Sequence, residues 1–96
     1  VKIAGHRVEL LDVESHLRSM DGVENAICFT QGDDTERHIV VVLVTSDDPN
    51  LPEVRAHLED KIPAYMLPRR VHCVDNAPTN RSGKLDRLAI RERFEA

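Results

Sequence analysis

The chain has 96 residues, of which 41% are apolar and 31% charged, and its formal net charge is −4. This length and composition indicate one ordinary globular domain with a modest core. They exclude a membrane-spanning helix, because no apolar run approaches about 20 residues, and the acidic balance argues against general nucleic-acid binding.

The predicted elements begin with a short ribbon and a helix. V-K-I and H-R-V-E-L are extended segments on either side of Gly5, where a turn or a bulge is expected. Asp12 is expected to cap a helix over about residues 12–20, and Glu14 to be a first-turn acid favoured by the helix dipole. Helical spacing predicts the apolar face of this helix: Val13, Leu17 and Met20.

Two strands and a second helix are predicted next. Residues 23–30 have the pattern of a strand. Residues 38–45, H-I-V-V-V-L-V-T, are nearly all aliphatic and β-branched, which predicts a central strand buried on both faces. The following helix is expected from Leu51 to Ile62, with Pro63 ending it.

The C-terminal third is predicted to contain a connector, a strand and a helix. P-A-Y-M-L-P at 63–68 indicates a rigid extended connector, and residues 70–75 a third strand. Asp86 is expected to start the last helix, whose apolar contacts are Leu88, Ile90 and Phe94. The order is a ribbon, then α, β, β, α, β, α, which predicts an α+β fold with helices covering a three-stranded sheet.

Basic residues concentrate near the C-terminus. Residues 1–68 contain 6 Lys/Arg and 13 Asp/Glu, whereas residues 69–96 contain 7 Lys/Arg and 4 Asp/Glu, so the last segment could face an anion. Its stretch N-R-S-G-K-L-D-R is not a Walker A loop, because Pro78 stands where that motif needs glycine. Gly83 gives the backbone freedom, so Lys84 could be a mobile cation that neutralises charge on a carboxylate or phosphate oxygen. The alternative is a solvated loop lysine.

The cysteines and histidines predict no metal site. Cys28 and Cys73 lie far apart in apolar stretches, and no signal-peptide pattern is present, which predicts buried thiols in a reducing, cytoplasmic setting. None of the 5 histidines pairs at the spacing of the H-E-x-x-H motif.

Three stretches in one order carry a family resemblance: V-K-I-A-G-H-R-V-E-L at 1–10, I-P-A-Y-M-L-P at 62–68 and N-R-S-G-K-L-D-R at 80–87. They resemble the last three core motifs of adenylation domains in the adenylate-forming superfamily, which includes those of nonribosomal peptide synthetases, acyl-CoA synthetases and luciferases. The resemblance implies that residues 1–96 form the small C-terminal lid subdomain. A large N-terminal domain that binds ATP and the acid is expected outside this segment, and the non-methionine Val1 also suggests a longer chain.

The resemblance implies two half-reactions. A carboxylic or amino acid and Mg²⁺-ATP first give an acyl-adenylate and pyrophosphate, and a thiol then takes the acyl group and releases AMP. The thiol belongs to the phosphopantetheine arm of a carrier protein or, in an alternative branch, to coenzyme A. A free-standing, non-catalytic domain that docks a carrier protein is the other alternative. The isolated 96 residues are expected to be inactive.

The resemblance also implies roles for single residues. Lys84 matches the catalytic lysine of adenylation, with Gly83 beside it as a nucleotide-facing position. Gly5 matches the glycine of the loop that enters the active site for thioester formation, and Arg7 and Glu9 are expected to fix that loop. The packing and support positions are Tyr65, Met66, Pro68 and Arg87.

The chain departs from the family motifs at three points. Ala4 replaces an arginine, Leu11-Asp12 replaces Gly-Glu, and Asn80 lies two residues further from the lysine than in N-G-K.

Overall fold

The computed structural model describes residues 2–3, 5–33 and 36–94, so Val1 and Ala4 lie outside the described residues. The elements follow the predicted order and confirm the α+β class. In chain order they are β1 (Lys2–Ile3), β2 (His6–Arg7), α1 (Leu10–Leu17), β3 (Val23–Gln31), β4 (His38–Thr45), α2 (Leu51–Leu58), a 3₁₀ turn (Ala64–Met66), β5 (Arg70–Val74) and α3 (Arg87–Phe94).

The three-stranded sheet has the order β3-β4-β5. β3 pairs antiparallel with β4, and β5 pairs parallel with β4 on its other edge, so α2 is the crossover between two parallel strands. Residues 39–45 of β4 are all buried, which confirms the predicted central strand. β1 and β2 form a separate antiparallel ribbon in which Ile3 pairs with His6.

Helices pack on both faces of this sheet, because alternate residues of each strand point to opposite sides. On one face α1 and α2 bury their apolar stripes: Val13, Leu17, Val54 and Leu58. On the other face α3 buries Ile90 against alternate residues of β3 and β4: Ile27, Phe29, Val40 and Val42. These two apolar clusters hold the helices against the sheet. The loop before α3 is therefore joined to a helix that packs on the sheet through Ile90.

The first helix differs from the prediction at its start. It begins at Leu10, and Glu9 at the N-cap position makes no side-chain cap bond. Asp12 lies inside the first turn, where its N–H donates to the Glu9 carbonyl oxygen over 3.1 Å, so the predicted Asp12 cap is wrong. Leu10, in the first turn, is partly buried and packs against the core.

Three further expectations are corrected downstream. α2 ends at Leu58 rather than Ile62, and the expected extended connector contains a 3₁₀ turn that buries Met66. Asp86 Oδ1 accepts the Ala89 N–H over 3.0 Å, which confirms Asp86 as the start signal of α3. Leu88, however, is 66% exposed, so it is not an apolar contact of the core.

Within the described residues, no helix is long and apolar enough to cross a bilayer.

The N-terminus of α2 carries a reciprocal capping pair. Asn50 Oδ1 accepts the Glu53 N–H over 3.0 Å, and Glu53 Oε1 accepts the Asn50 N–H over 3.3 Å. We expect Asn50→Ala to lower the free energy of unfolding by about 1 kcal/mol, because a backbone N–H loses its partner. Urea unfolding of the chain measures this, with the exposed Asn76→Ala as the matched control. Equal midpoints for the two variants would contradict the prediction.

Candidate functional site

The loop that carries Lys84 is a hydrogen-bonded turn. A bridge between Thr79 and Leu85 closes it. The Asn80 N–H donates to the Lys84 carbonyl oxygen over 2.8 Å, and Asn80 Oδ1 accepts from the backbone N–H groups of Ser82 (2.9 Å) and Lys84 (3.2 Å). The side chain of Lys84 is exposed. These hydrogen bonds define the shape of the turn that presents the Lys84 ammonium group. The turn is therefore not the irregular loop that its glycine alone would suggest.

Gly83 supplies the backbone conformation of this turn. Its φ is +77°, in the left-handed region that glycine adopts without strain. A Cβ placed there would meet no atom within 4 Å, so the glycine is required by conformation and not by crowding inside the chain. Its N–H donates to the Asn80 carbonyl oxygen over 3.0 Å. Gly83 and Asn80 together set the direction in which Lys84 leaves the surface.

A cleft of about 610 Å³ lies beside the ammonium group. Its charged lining residues are all cationic, namely Arg18, Lys84 and Arg87, and Asn25 and Asn80 also contribute to its walls. No carboxylate is among the described residues that line it. A site of this composition is suited to an oxyanion such as a phosphate or a carboxylate.

Arg87, three residues after Lys84, forms a bidentate ion pair with Glu14 of α1. Its two guanidinium nitrogens lie 2.7 and 2.5 Å from the two Glu14 carboxylate oxygens. The Glu14 side chain is 0% exposed, whereas that of Arg87 is 52% exposed. The Cys28 N–H also donates to Glu14 Oε2 over 2.8 Å. The hydrogen bonds with Glu14 are the largest influence on the pKa of Arg87 and raise it.

Sequence reasoning missed the role of Glu14. It was predicted to be a first-turn acid that interacts with the helix dipole, and this is wrong because its carboxylate is 0% exposed and binds the Cys28 N–H of β3 and the Arg87 guanidinium of α3. The partner is 73 residues away in the chain, so no local pattern indicates the pair. Arg18 Nη1 lies 3.9 Å from Glu14 Oε1 and remains 43% exposed on the cleft side.

The ribbon presents the second predicted loop. Gly5 is exposed with φ +78°, and a Cβ there would meet no atom within 4 Å. The neighbouring His6 ring stacks on Tyr65, with the ring centroids 4.1 Å apart, which ties the ribbon to the 3₁₀ turn. Arg7 Nε donates to Glu9 Oε1 over 3.1 Å, but both side chains are mostly exposed and the pair adds little rigidity.

The structure does not bring all predicted site residues together. Gly83 and Lys84 share the cationic cleft, whereas Gly5 and Arg7 are absent from its lining. The chain thus carries two separate candidate loops on its surface. Each has an exposed glycine with a positive φ and open space around it.

The two cysteine thiols are poorly suited to act as nucleophiles. Burial raises the pKa of the Cys28 thiol, and burial together with Asp48 raises the pKa of the Cys73 thiol, so both favour the neutral form. No group of three or more His, Cys, Asp or Glu side chains able to hold a metal occurs within the described ranges.

Comparison with known proteins identifies the family. Residues 12–84 match the family described as the AMP-binding enzyme C-terminal domain. The phenyloxazoline synthase MbtB of Mycolicibacterium paratuberculosis is 41% identical over 92 residues, which cover 94% of this chain and 8% of MbtB. The chain therefore spans less than a tenth of that relative's length.

Two solved structures share the fold. Klebsiella oxytoca NpsA, in complex with 3-hydroxyanthranilyl-AMSN, superposes with a TM-score of 0.88 at 25% identity, over 100% of this chain and 19% of NpsA. Holo-AB3403, a four-domain nonribosomal peptide synthetase bound to AMP and glycine, has a TM-score of 0.77 at 30% identity, over 93% of this chain and 7% of its own. The chain belongs to the family of C-terminal domains of AMP-binding, adenylate-forming enzymes.

Proposed function

We propose that residues 1–96 are the mobile lid of an ATP-dependent ligase that activates a carboxylic or amino acid, with Lys84 as its catalytic residue. The large domain that binds ATP, Mg²⁺ and the acid lies outside this segment in this proposal. The observation that carries it is the hydrogen-bonded turn, which presents the exposed Lys84 beside a cleft whose charged lining, among the described residues, is entirely cationic. A docking module would not need a cation held in this way.

In the first half-reaction, a carboxylate oxygen of the substrate attacks the α-phosphorus of ATP, and pyrophosphate leaves. Negative charge builds on the phosphate oxygens in the transition state while two anions approach each other. The Lys84 ammonium offsets that charge from a preorganised position, which lowers the barrier because the interaction is stronger in the transition state than before it. Gly83 and Asn80 support this role by setting the shape of the turn.

In the second half-reaction, the thiol of a phosphopantetheine arm attacks the acyl carbonyl carbon, and AMP leaves. We assign this step to the Gly5 loop, which is exposed and leaves room for close backbone approach. The four-domain peptide synthetase with AMP and glycine supports an amino acid and a carrier protein over coenzyme A. Lid rotation between the two steps would present the two loops in turn.

The test is acid-dependent exchange of labelled pyrophosphate into ATP by the intact protein, across a panel of amino and aryl acids. Exchange that depends on one acid supports the activation step. Transfer of that acid to a phosphopantetheinylated carrier protein, and not to coenzyme A, supports the carrier branch. Transfer to coenzyme A alone would assign the alternative branch, and no exchange with any acid would overturn the ligase proposal.

A further inference from the structure

We propose that Glu14 is a positioning residue for Lys84: through Arg87 it holds the start of α3, and with it the Lys84 turn, in one orientation on the sheet. The inference rests on the proposed function of Lys84. Glu14 does not line the cleft beside Lys84, so it acts through Arg87 and not on a substrate.

The ion pair uses both oxygens of the Glu14 carboxylate. Both carboxylate oxygens of Glu14 bind separate guanidinium nitrogens of Arg87, and Oε2 also accepts the Cys28 N–H. A planar guanidinium bound at two points cannot rotate about a single hydrogen bond. The pair therefore fixes the direction of the Arg87 side chain as well as its distance from α1.

Burial of this ion pair costs free energy. A carboxylate that is 0% exposed loses its hydration, and a buried pair often contributes no more stability than apolar residues of the same volume. We infer that the charged pair serves to define a geometry.

Backbone hydrogen bonds connect the ion pair to Lys84. Between Lys84 and Arg87 the backbone is held by the Thr79–Leu85 bridge and by the Asp86 N–H, which donates to the Pro78 carbonyl oxygen over 2.9 Å. These bonds fix the internal shape of the turn. The ion pair fixes where that shape lies relative to α1, and hence where the ammonium group points.

The experiment compares Glu14→Gln and Arg87→Lys with Leu88→Ala, an exposed neighbour on the same helix, in the intact protein. Acid-dependent pyrophosphate exchange is measured twice for each variant, once with Lys84 present and once with Lys84→Ala added. We expect kcat to fall about 10- to 100-fold in the first two variants, since a misplacement near 1 Å costs on that order. The KM for ATP should change little, and Leu88→Ala should match wild type.

The Lys84→Ala background separates positioning from general stability. If Glu14 acts through Lys84, then Glu14→Gln and Arg87→Lys cause no further loss once the ammonium group is gone. An equal loss in both backgrounds, or wild-type kcat in both variants, would overturn the inference. If circular dichroism shows that Glu14→Gln is unfolded, the half-exposed Arg87→Lys decides the result alone. Exchange that is absent in wild type, or unaffected by Lys84→Ala, would overturn the proposed function and this inference with it.

Discussion

Lys84→Ala in the intact protein should lower the rate of acid-dependent pyrophosphate exchange by about 10²- to 10³-fold, the usual cost of removing one preorganised group that stabilises transition-state charge. The substitution removes the side chain beyond Cβ, with its ammonium group, and keeps the hydrogen bonds of the turn, because Lys84 takes part in them only through its backbone. The fold should be unaffected, since the Lys84 side chain is exposed. Initial rates of label transfer at saturating ATP and acid give the result.

Lys61→Ala is the matched control. It also removes one cation from this domain, but Lys61 Nζ donates to the His57 carbonyl oxygen over 3.0 Å, in the turn after α2. We expect its exchange rate to match wild type. If both lysine variants lose activity equally, the effect comes from net charge and not from the position of Lys84. The transfer of a preformed acyl-adenylate to the carrier thiol should survive in Lys84→Ala, because the proposed role of this residue ends with the first half-reaction.

The sheet could be predicted from sequence because its signals are local. The β-branched run at 38–45 forms β4 over the predicted residues. A central strand buries side chains on both of its faces and pairs its backbone along both edges, so a continuous apolar run suits this position. The start of α1, in contrast, was predicted two residues too late. Capping preference pointed to Asp12, but the helix begins at Leu10, whose partly buried side chain packs against the core, a long-range contact that no local capping signal reports.

The candidate site was predictable in part. The motif containing Gly83 and Lys84 marks a cation on a turn, and the structure adds how that turn is held. Asn80, which departs from the family spacing, still reaches the Lys84 N–H through its side chain. The ion pair of Glu14 and Arg87 could not be predicted, because it depends on how α1 and α3 pack against the same sheet.

A reciprocal pair of glycine substitutions tests whether the two loops serve different steps. Gly5 and Gly83 have nearly the same backbone conformation, with φ +78° and +77°, and neither would bring a Cβ within 4 Å of another atom. Gly5→Leu and Gly83→Leu therefore carry the same conformational cost, about 1–2 kcal/mol for a positive φ. Any difference between them reports what approaches each loop from outside.

We expect Gly5→Leu to slow thioester formation about 10- to 100-fold and to leave pyrophosphate exchange near wild type. Gly83→Leu should show the opposite pattern, because its side chain would enter the cleft beside Lys84. Gly5→Ala and Gly83→Ala are the controls, since alanine carries the same backbone cost with little added bulk. Rapid-quench measurement of carrier loading and label exchange on the same preparations separate the steps. If Gly5→Leu reduces exchange first, the assignment of the ribbon to the thiol step is wrong, and both loops act in adenylation.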